Sequence, residues 1–333
     1  MGRIQARLAQ GKSMNLITEP GIYDVDEAVY NAEPCAEPSL RSSIAWKLIA
    51  KGSTPAHARL HVPAFNPNFI AEHKRSFDIG RACHKYLLGK GALIADIAAD
   101  NYKTKAAQEA RDAAYTAGKI PLLPHEHQQV KAMATAAREQ LRALVDAGTL
   151  EAMPFSDGQT ERVIVWRKNG VLCRAMLDGL PNEYEAIDEY KSDGESADPQ
   201  NWQWKARRFG YFFRQAFYRD GLEQLRLAYS PHFRFFVQET APPYLLAFIR
   251  VEDEVIMRES QNVRRAINIW KRCVDTGVWP GYSLQGYDLG LTEREQAEID
   301  AQHASEQSPR GGHVDSESIA ATVNKPSNLF RKW

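Results

Sequence analysis

The first half of the chain reads in helical periods. Residues 38–49, Pro-Ser-Leu-Arg-Ser-Ser-Ile-Ala-Trp-Lys-Leu-Ile, form a capped amphipathic pattern that stops near Gly52, which predicts a helix. Further helices are predicted over 77–88, 103–117 and 124–147. The last opens on Pro124, whose fixed φ suits a first helical turn. The period then changes. Arg162-Val163-Ile164-Val165-Trp166 reads as a strand, Asn169-Gly170 as a two-residue hairpin turn, and 171–177 and 184–191 as the next two strands. A single helix over 199–223, strands over 233–239 and 244–251 around Pro242-Pro243, and a long helix over 252–276 complete the pattern. Trp279-Pro280-Gly281-Tyr282 closes the packed region. Helices, a three-strand meander, a helix and two more strands predict an α+β or α/β sheet domain with a helical N-terminal section.

The ends of the chain differ from this middle. Residues 1–35 read as irregular, with Pro20-Gly21 as a turn, and the packed domain is expected over 36–284. Residues 285–333 are rich in Gln, Glu, Ser and Gly and are expected to form a flexible tail, with large apolar residues returning only at Leu329-Phe330. No apolar run reaches the length of a membrane span, and the basic first residues lack an apolar signal core, which argues against export. The cysteines, Cys35, Cys83, Cys173 and Cys273, are scattered without a C-x-x-C pair. That spacing excludes a zinc knuckle or a local redox motif and fits a reducing cytoplasm. Lys+Arg and Asp+Glu are both 42, so the net charge is zero and any nucleic-acid role must rest on local segregation of charge.

Candidate chemistry concentrates on the third predicted strand. Glu189 and Lys191 are two apart and share a strand face, while Asp188 and Tyr190 point the other way. Asp178 ends the neighbouring strand, just before Gly179. Two carboxylates and an ammonium at adjacent strand ends are what phosphodiester hydrolysis requires. Hard carboxylate oxygens hold Mg²⁺, and the ammonium orients water and offsets the charge of the pentavalent state. A solvated strand end with a surface ion pair has the same spacing. His84, in Gly80-Arg81-Ala82-Cys83-His84, reads alone as a core histidine on a helix, and Glu161 is unremarkable by itself. The segment after the third strand carries Trp202, Trp204, Lys205, Arg207, Arg208, Tyr211, Arg214, Gln215, Tyr218 and Arg219. From 201 to 219 there are five basic residues and no acidic one. It suits a phosphate-contacting surface with interleaved aromatics, and equally an amphipathic helix with one wet cationic face.

Taken in order, Gly80-x₃-His84, Glu161, Asp178-Gly179, Glu189-Tyr190-Lys191-Ser192 and Gln215-x₂-Tyr218 resemble the motifs of RecB-like and RecE-like PD-(D/E)XK nucleases. The flanks Pro38-Ser39-Leu40-Arg41-Ser42-Ser43, Thr54-Pro55-Ala56-His57-Ala58 and Trp279-Pro280-Gly281-Tyr282 are similar to the RecE-type phage recombination exonucleases, over about residues 20 to 283. The resemblance implies a restriction-endonuclease-like fold, a central mixed sheet flanked by helices. It implies His84, Asp178, Glu189 and the Tyr190 carbonyl as ligands of Mg²⁺, with Mn²⁺ as a substitute, and Lys191 as the catalytic lysine. Glu161 would lie near the metal, and Gln215 and Tyr218 near the DNA or the carboxylates. Glu stands at 189 where Asp also occurs, and Ser192 where Thr is common. The implied activity is 5′-to-3′ digestion of linear double-stranded DNA to leave 3′ overhangs, by a ring-shaped homo-oligomer, for a RecT-like single-strand annealing protein. The composition of the C-terminal tail and its ending Leu329-Phe330-Arg331-Lys332-Trp333, apart from the resemblance, suggest it as that partner's docking segment. The alternatives are a RecB-like nuclease acting on single strands or in defence, and a non-catalytic DNA-end-binding scaffold.

Overall fold

The computed structural model describes residues 16–69, 75–156, 159–180, 185–286 and 288–306. The chain divides into two units, Met1–Tyr282 and Ser283–Trp333. The first contains strands β1 (Gly21–Tyr23), β2 (Leu40–Arg41), β3 (Ile94–Asp96), β4 (Ile120–Leu122), β5 (Gln159–Lys168), β6 (Val171–Leu180), β7 (Ala186–Asp193), β8 (His232–Glu239) and β9 (Leu246–Arg250). Its helices are α1 (Glu27–Asn31), α2 (Ser42–Lys47), α3 (Pro55–Leu60), α4 (Asp78–Leu88), α5 (Lys105–Thr116), α6 (Pro124–Asp146), α7 (Pro199–Arg208), α8 (Tyr211–Gln224) and α9 (Asp253–Thr276).

The main sheet runs β1-β5-β6-β7-β8-β9, antiparallel except for the parallel β7–β8 pair, which α7 and α8 connect. It is the expected mixed sheet, and the Asn169-Gly170 hairpin forms with both residues at positive φ, +50° and +79°. Helices cover both faces, so central strands are apolar on both sides. Ile164 and Trp166 of β5 pack with Phe213 and Phe217 of α8 and Trp270 of α9. Val163 and Val165 turn to Ile17, Tyr30 and Cys35. Beneath β7 and β8, Tyr190 and Phe236 meet Ala82 and Cys83 of α4 and Val130 and Met133 of α6.

Strands β6 and β7 touch in register only at Gly179↔Asp188 and then diverge. The opening is filled at its far end by β2, which runs parallel to β6 at Cys173–Arg174. This corrects the helix predicted over 38–49: Leu40-Arg41 extends along the sheet, and the helix begins only at Ser42. The helix predicted over 199–223 is two helices, broken at Phe209-Gly210. Gly210 takes φ +70°, and a Cβ there would stand 2.5 Å from the Trp46 ring. Within 1–35, predicted irregular, β1 pairs with β5 and α1 forms. The two-stranded sheet β3–β4 has no counterpart among the predicted elements. In the second unit, α10 (Glu293–Glu306) is helical where composition predicts no fixed structure. Thr292 caps it through Glu295, and Arg294–Glu298 pairs one turn apart. The predicted start of the third strand at Tyr184 and the tail segment Leu329-Phe330-Arg331-Lys332-Trp333 lie outside the described residues. Among the described residues, no helix is long and apolar enough to cross a membrane.

Candidate active site

The divergence of β6 from β7 creates the site. Asp178 accepts the Tyr190 backbone N–H at 3.1 Å, so a carboxylate takes a donor that continued strand pairing would have used. Along β7 the side chains alternate as the sequence predicts. Asp188 forms a two-point pair with Arg234, at 2.6 and 2.8 Å. Tyr190 donates to Gln238 at 2.7 Å, on the buried side. Glu189 and Lys191 share the other side, with Lys191 Nζ 2.8 Å from Glu189 Oε2 and 3.4 Å from Asp178 Oδ2. Lys191 also donates to the Tyr190 carbonyl at 3.1 Å. The three residues singled out in the sequence therefore converge.

His84 joins them from α4. Its Nε2 lies 3.3 Å from Asp178 Oδ1 and its Nδ1 3.3 Å from Glu161 Oε1. Helix α4 reaches this depth because Gly80 has no side chain: a Cβ there would collide with Ser192 Oγ of β7. Glu161 sits within β5 at φ +50°, a left-handed backbone that costs a non-glycine residue about 1–2 kcal/mol. The carboxylate so directed meets His84, an outlier of the kind that clusters at functional sites.

Charge is balanced tightly here. Burial opposes the His84 imidazolium, but Asp178 and Glu161 outweigh it and push its pKa up to about 9. Burial likewise opposes ionised Asp178, and Lys191 and His84 hold its carboxyl well below the usual range. Lys191 is raised despite burial, by Asp178 and Glu189. Arg214, also raised against burial, lies in the field of Tyr218, Glu189, Tyr211 and Asp178.

Among the described residues, no three His, Cys, Asp or Glu side chains already stand as a metal cluster. Lys191 occupies the space between the two carboxylates. The donor set nonetheless fits a divalent cation. Among the described residues Glu189 Oε1 is buried without a hydrogen-bond partner, and Asp178, the Tyr190 carbonyl and His84 Nε2 add two kinds of oxygen and one nitrogen. A metal ligand must be neutral imidazole, so binding at His84 displaces a proton. If His84 ligates a divalent cation, its apparent affinity, measured by calorimetry, is expected to rise up to about tenfold per pH unit between pH 7 and 9 and then level off. The metal-free protein moves oppositely. A His84 pKa raised from 6.5 to about 9 by folding gives stability that is complete below pH 6.5 and lost as pH rises through 9. A flat affinity over that range would remove His84 from the ligand set.

The remaining sequence candidates separate. Tyr211 lies beside the site, its ring 6.0 Å from Lys191 Nζ and 5.2 Å from the Arg214 guanidinium. Gln215 is wholly buried, with neither amide atom partnered among the described residues, and Tyr218 is buried in the field of Glu189, Arg214 and Asp178, so neither is a surface contact. Lys205 is tied to Asp193 and Glu195, each at 2.7 Å, and anchors α7 to the end of β7. Arg207 and Arg208 lie on the α7 surface. Sequence reasoning passed over Tyr30, whose field reaches Arg214 and Tyr218, and Phe209 at the helix break. The Phe209-Gly210 pair was the available signal for the second.

A mixed sheet between helices, with Asp178 and Glu189-x-Lys191 at adjoining strand ends, defines a PD-(D/E)XK-type core. The chain belongs to the family described as PDDEXK-like domain of unknown function (DUF3799), whose profile matches residues 43–286. The crystal structure of a presumed exonuclease from Eubacterium rectale is similar in fold. Its TM-score is 0.51 at 12% identity, covering 81% of this chain and 96% of that one. A phage-related exonuclease from Haemophilus somnus 129PT matches over 72% of this chain and 96% of its own, at 11% identity and a TM-score of 0.29. No curated protein sequence matches.

Proposed function

We propose that the protein is a metal-dependent deoxyribonuclease that digests linear double-stranded DNA from its 5′ ends. The observation that carries this reading is the meeting of Asp178, Glu189 and Lys191 at the β6–β7 opening, with His84 against Asp178. A bound Mg²⁺ or Mn²⁺ would shield the scissile phosphate and acidify a water. Asp178, Glu189, the Tyr190 carbonyl and His84 would hold it. Lys191 orients the attacking water and donates to the phosphate oxygen that gains charge. Glu161 keeps the His84 ring aimed at the centre, as a carboxylate behind a ligating histidine does. Arg214 supplies a fixed positive charge behind the carboxylates.

The presence of Asp178, Glu189 and Lys191 together favours this reading over a scaffold that has lost its chemistry. Polarity, 3′ overhangs, assembly as a ring and delivery to a RecT-like annealing protein rest on the resemblance to RecE-type exonucleases. The test is digestion of linear duplex labelled at its 5′ or at its 3′ ends, and of single-stranded and circular DNA, with and without Mg²⁺. Release of the 5′ label from linear duplex, only with metal and with circles intact, is the expected result. Digestion of circles, or release of 3′-end label first, would overturn the exonuclease polarity. No digestion of any DNA would overturn the nuclease reading.

A further inference from the structure

Helix α7 is fixed on three sides. Asp198 caps it, accepting from Gln200 and Asn201 N–H groups at 2.8 and 3.0 Å. Lys205 ties it to Asp193 and Glu195. Trp202 is buried against Phe235, with ring centroids 4.9 Å apart, and stacks on Tyr211 at 5.7 Å. Trp204, two residues on, is consequently turned outward, with 68% of its surface exposed. The helix then breaks at Phe209-Gly210, and Phe209 is 53% exposed. Two large rings thus stand in water on an otherwise well-anchored corner, and exposed apolar surface rimmed by charge is of the kind that marks an interaction site.

The charge around these rings identifies the kind of occupant. The Arg207 guanidinium lies over Trp204 at 5.7 Å and that of Arg208 over Phe209 at 5.8 Å. Neither arginine has a carboxylate partner among the described residues; Arg207 donates only to Gln203. A chain of ring contacts links these residues to the candidate active site. Phe209 lies 6.0 Å from the Tyr211 ring, and Tyr211 lies 6.0 Å from Lys191 Nζ.

We propose that Trp204 and Phe209 stack the bases of an unpaired DNA strand, with Arg207 and Arg208 on its phosphates, and lead that strand to the Asp178–Glu189–Lys191 centre. The inference rests on the nuclease reading and deepens it: the substrate strand reaches the site already separated from its complement. Bases within a duplex bury their faces against one another, so protein rings match them only where the strand is unpaired. Stacking is indifferent to sequence, as an enzyme that follows a strand requires.

The experiment uses the full chain carrying Lys191→Ala, so that binding is read without cleavage. A labelled single-stranded oligodeoxynucleotide and its abasic counterpart are titrated, by fluorescence anisotropy, against this protein and against the same protein with Trp204→Ala and Phe209→Ala. The paired substitution is expected to weaken binding of the base-bearing strand at least about tenfold. It should leave binding of the abasic strand and the melting temperature unchanged. Equal weakening on both strands would mean the rings act through the fold or the charge. Unchanged affinity would mean they do not meet DNA. A change in sedimentation of the free protein with DNA affinity intact would mean the rings face a second copy. Each of these overturns the proposal. The two readings fail separately: DNA digested by the parent with indifference to the ring substitutions sinks this inference alone, whereas a parent that neither binds nor digests DNA sinks both.

Discussion

Lys191→Ala is expected to abolish metal-dependent digestion of linear duplex DNA, a loss of at least about 10²–10³-fold, while metal binding is kept or strengthened. The two effects divide because Lys191 does two things. In the metal-free protein its ammonium neutralises Glu189 at 2.8 Å and Asp178 at 3.4 Å. Removing it leaves two buried carboxylates facing each other, and such like charges disfavour the ionised pair. The metal-free variant should therefore melt below the parent. Added Mg²⁺ should raise its melting temperature by more than it raises the parent's, since binding to the folded state stabilises in proportion to ln(1 + [L]/Kd). Asp178→Ala should also abolish digestion but weaken metal binding. Thermal melts with and without Mg²⁺, beside labelled-duplex digestion, check all three expectations. A folded Lys191→Ala protein that digests DNA at the parent's rate would end the assignment of the catalytic lysine.

The largest expected effect on stability lies away from the reacting atoms. Arg174 of β6 is 1% exposed. It pairs with buried Glu33 at 2.5 Å and donates to the Ser39 carbonyl at 2.8 Å, with its guanidinium 5.2 Å from the Tyr30 ring. Glu33 and Ser39 belong to the segment that leads into β2, so this cluster holds the N-terminal section against the sheet beside the β6–β7 opening. Arg174→Met leaves Glu33 buried without its cation, which costs about 3–5 kcal/mol. Combining it with Glu33→Gln removes the stranded charge and should recover a large part of that loss. The urea midpoint, at unchanged slope, measures both. If the double variant is no more stable than Arg174→Met, the pair is not the unit that matters.

The sheet strands were legible because their signals are local. The alternation and apolar run of 162–166, the Asn169-Gly170 turn and the spacing of Glu189 and Lys191 each act within a few residues, and β5, β6 and β7 formed around them. Helix 124–147 was similarly plain, with proline at its start and a long repeating face. Errors arose where a tertiary neighbour overrode propensity. Leu40-Arg41 extends because the divergence of β7 leaves β6 an open edge there. The helix predicted through Gly210 breaks because Trp46 packs against that glycine. The ion pairs of Lys205 with Asp193 and Glu195, acids that precede its helix, likewise carry no local signal in the sequence.

By itself the sequence determined the identities of the candidate reacting groups and the two strands that bear them, since a period of two fixes which side chains share a face. The tertiary structure alone decided that these groups meet. Asp178 had to take the Tyr190 amide and hold β6 and β7 apart. Gly80 had to bring α4 close to Ser192, and Glu161 had to adopt a left-handed backbone, before His84 could stand between two carboxylates. Those are contacts between residues 12 or more positions apart, and no local period encodes them.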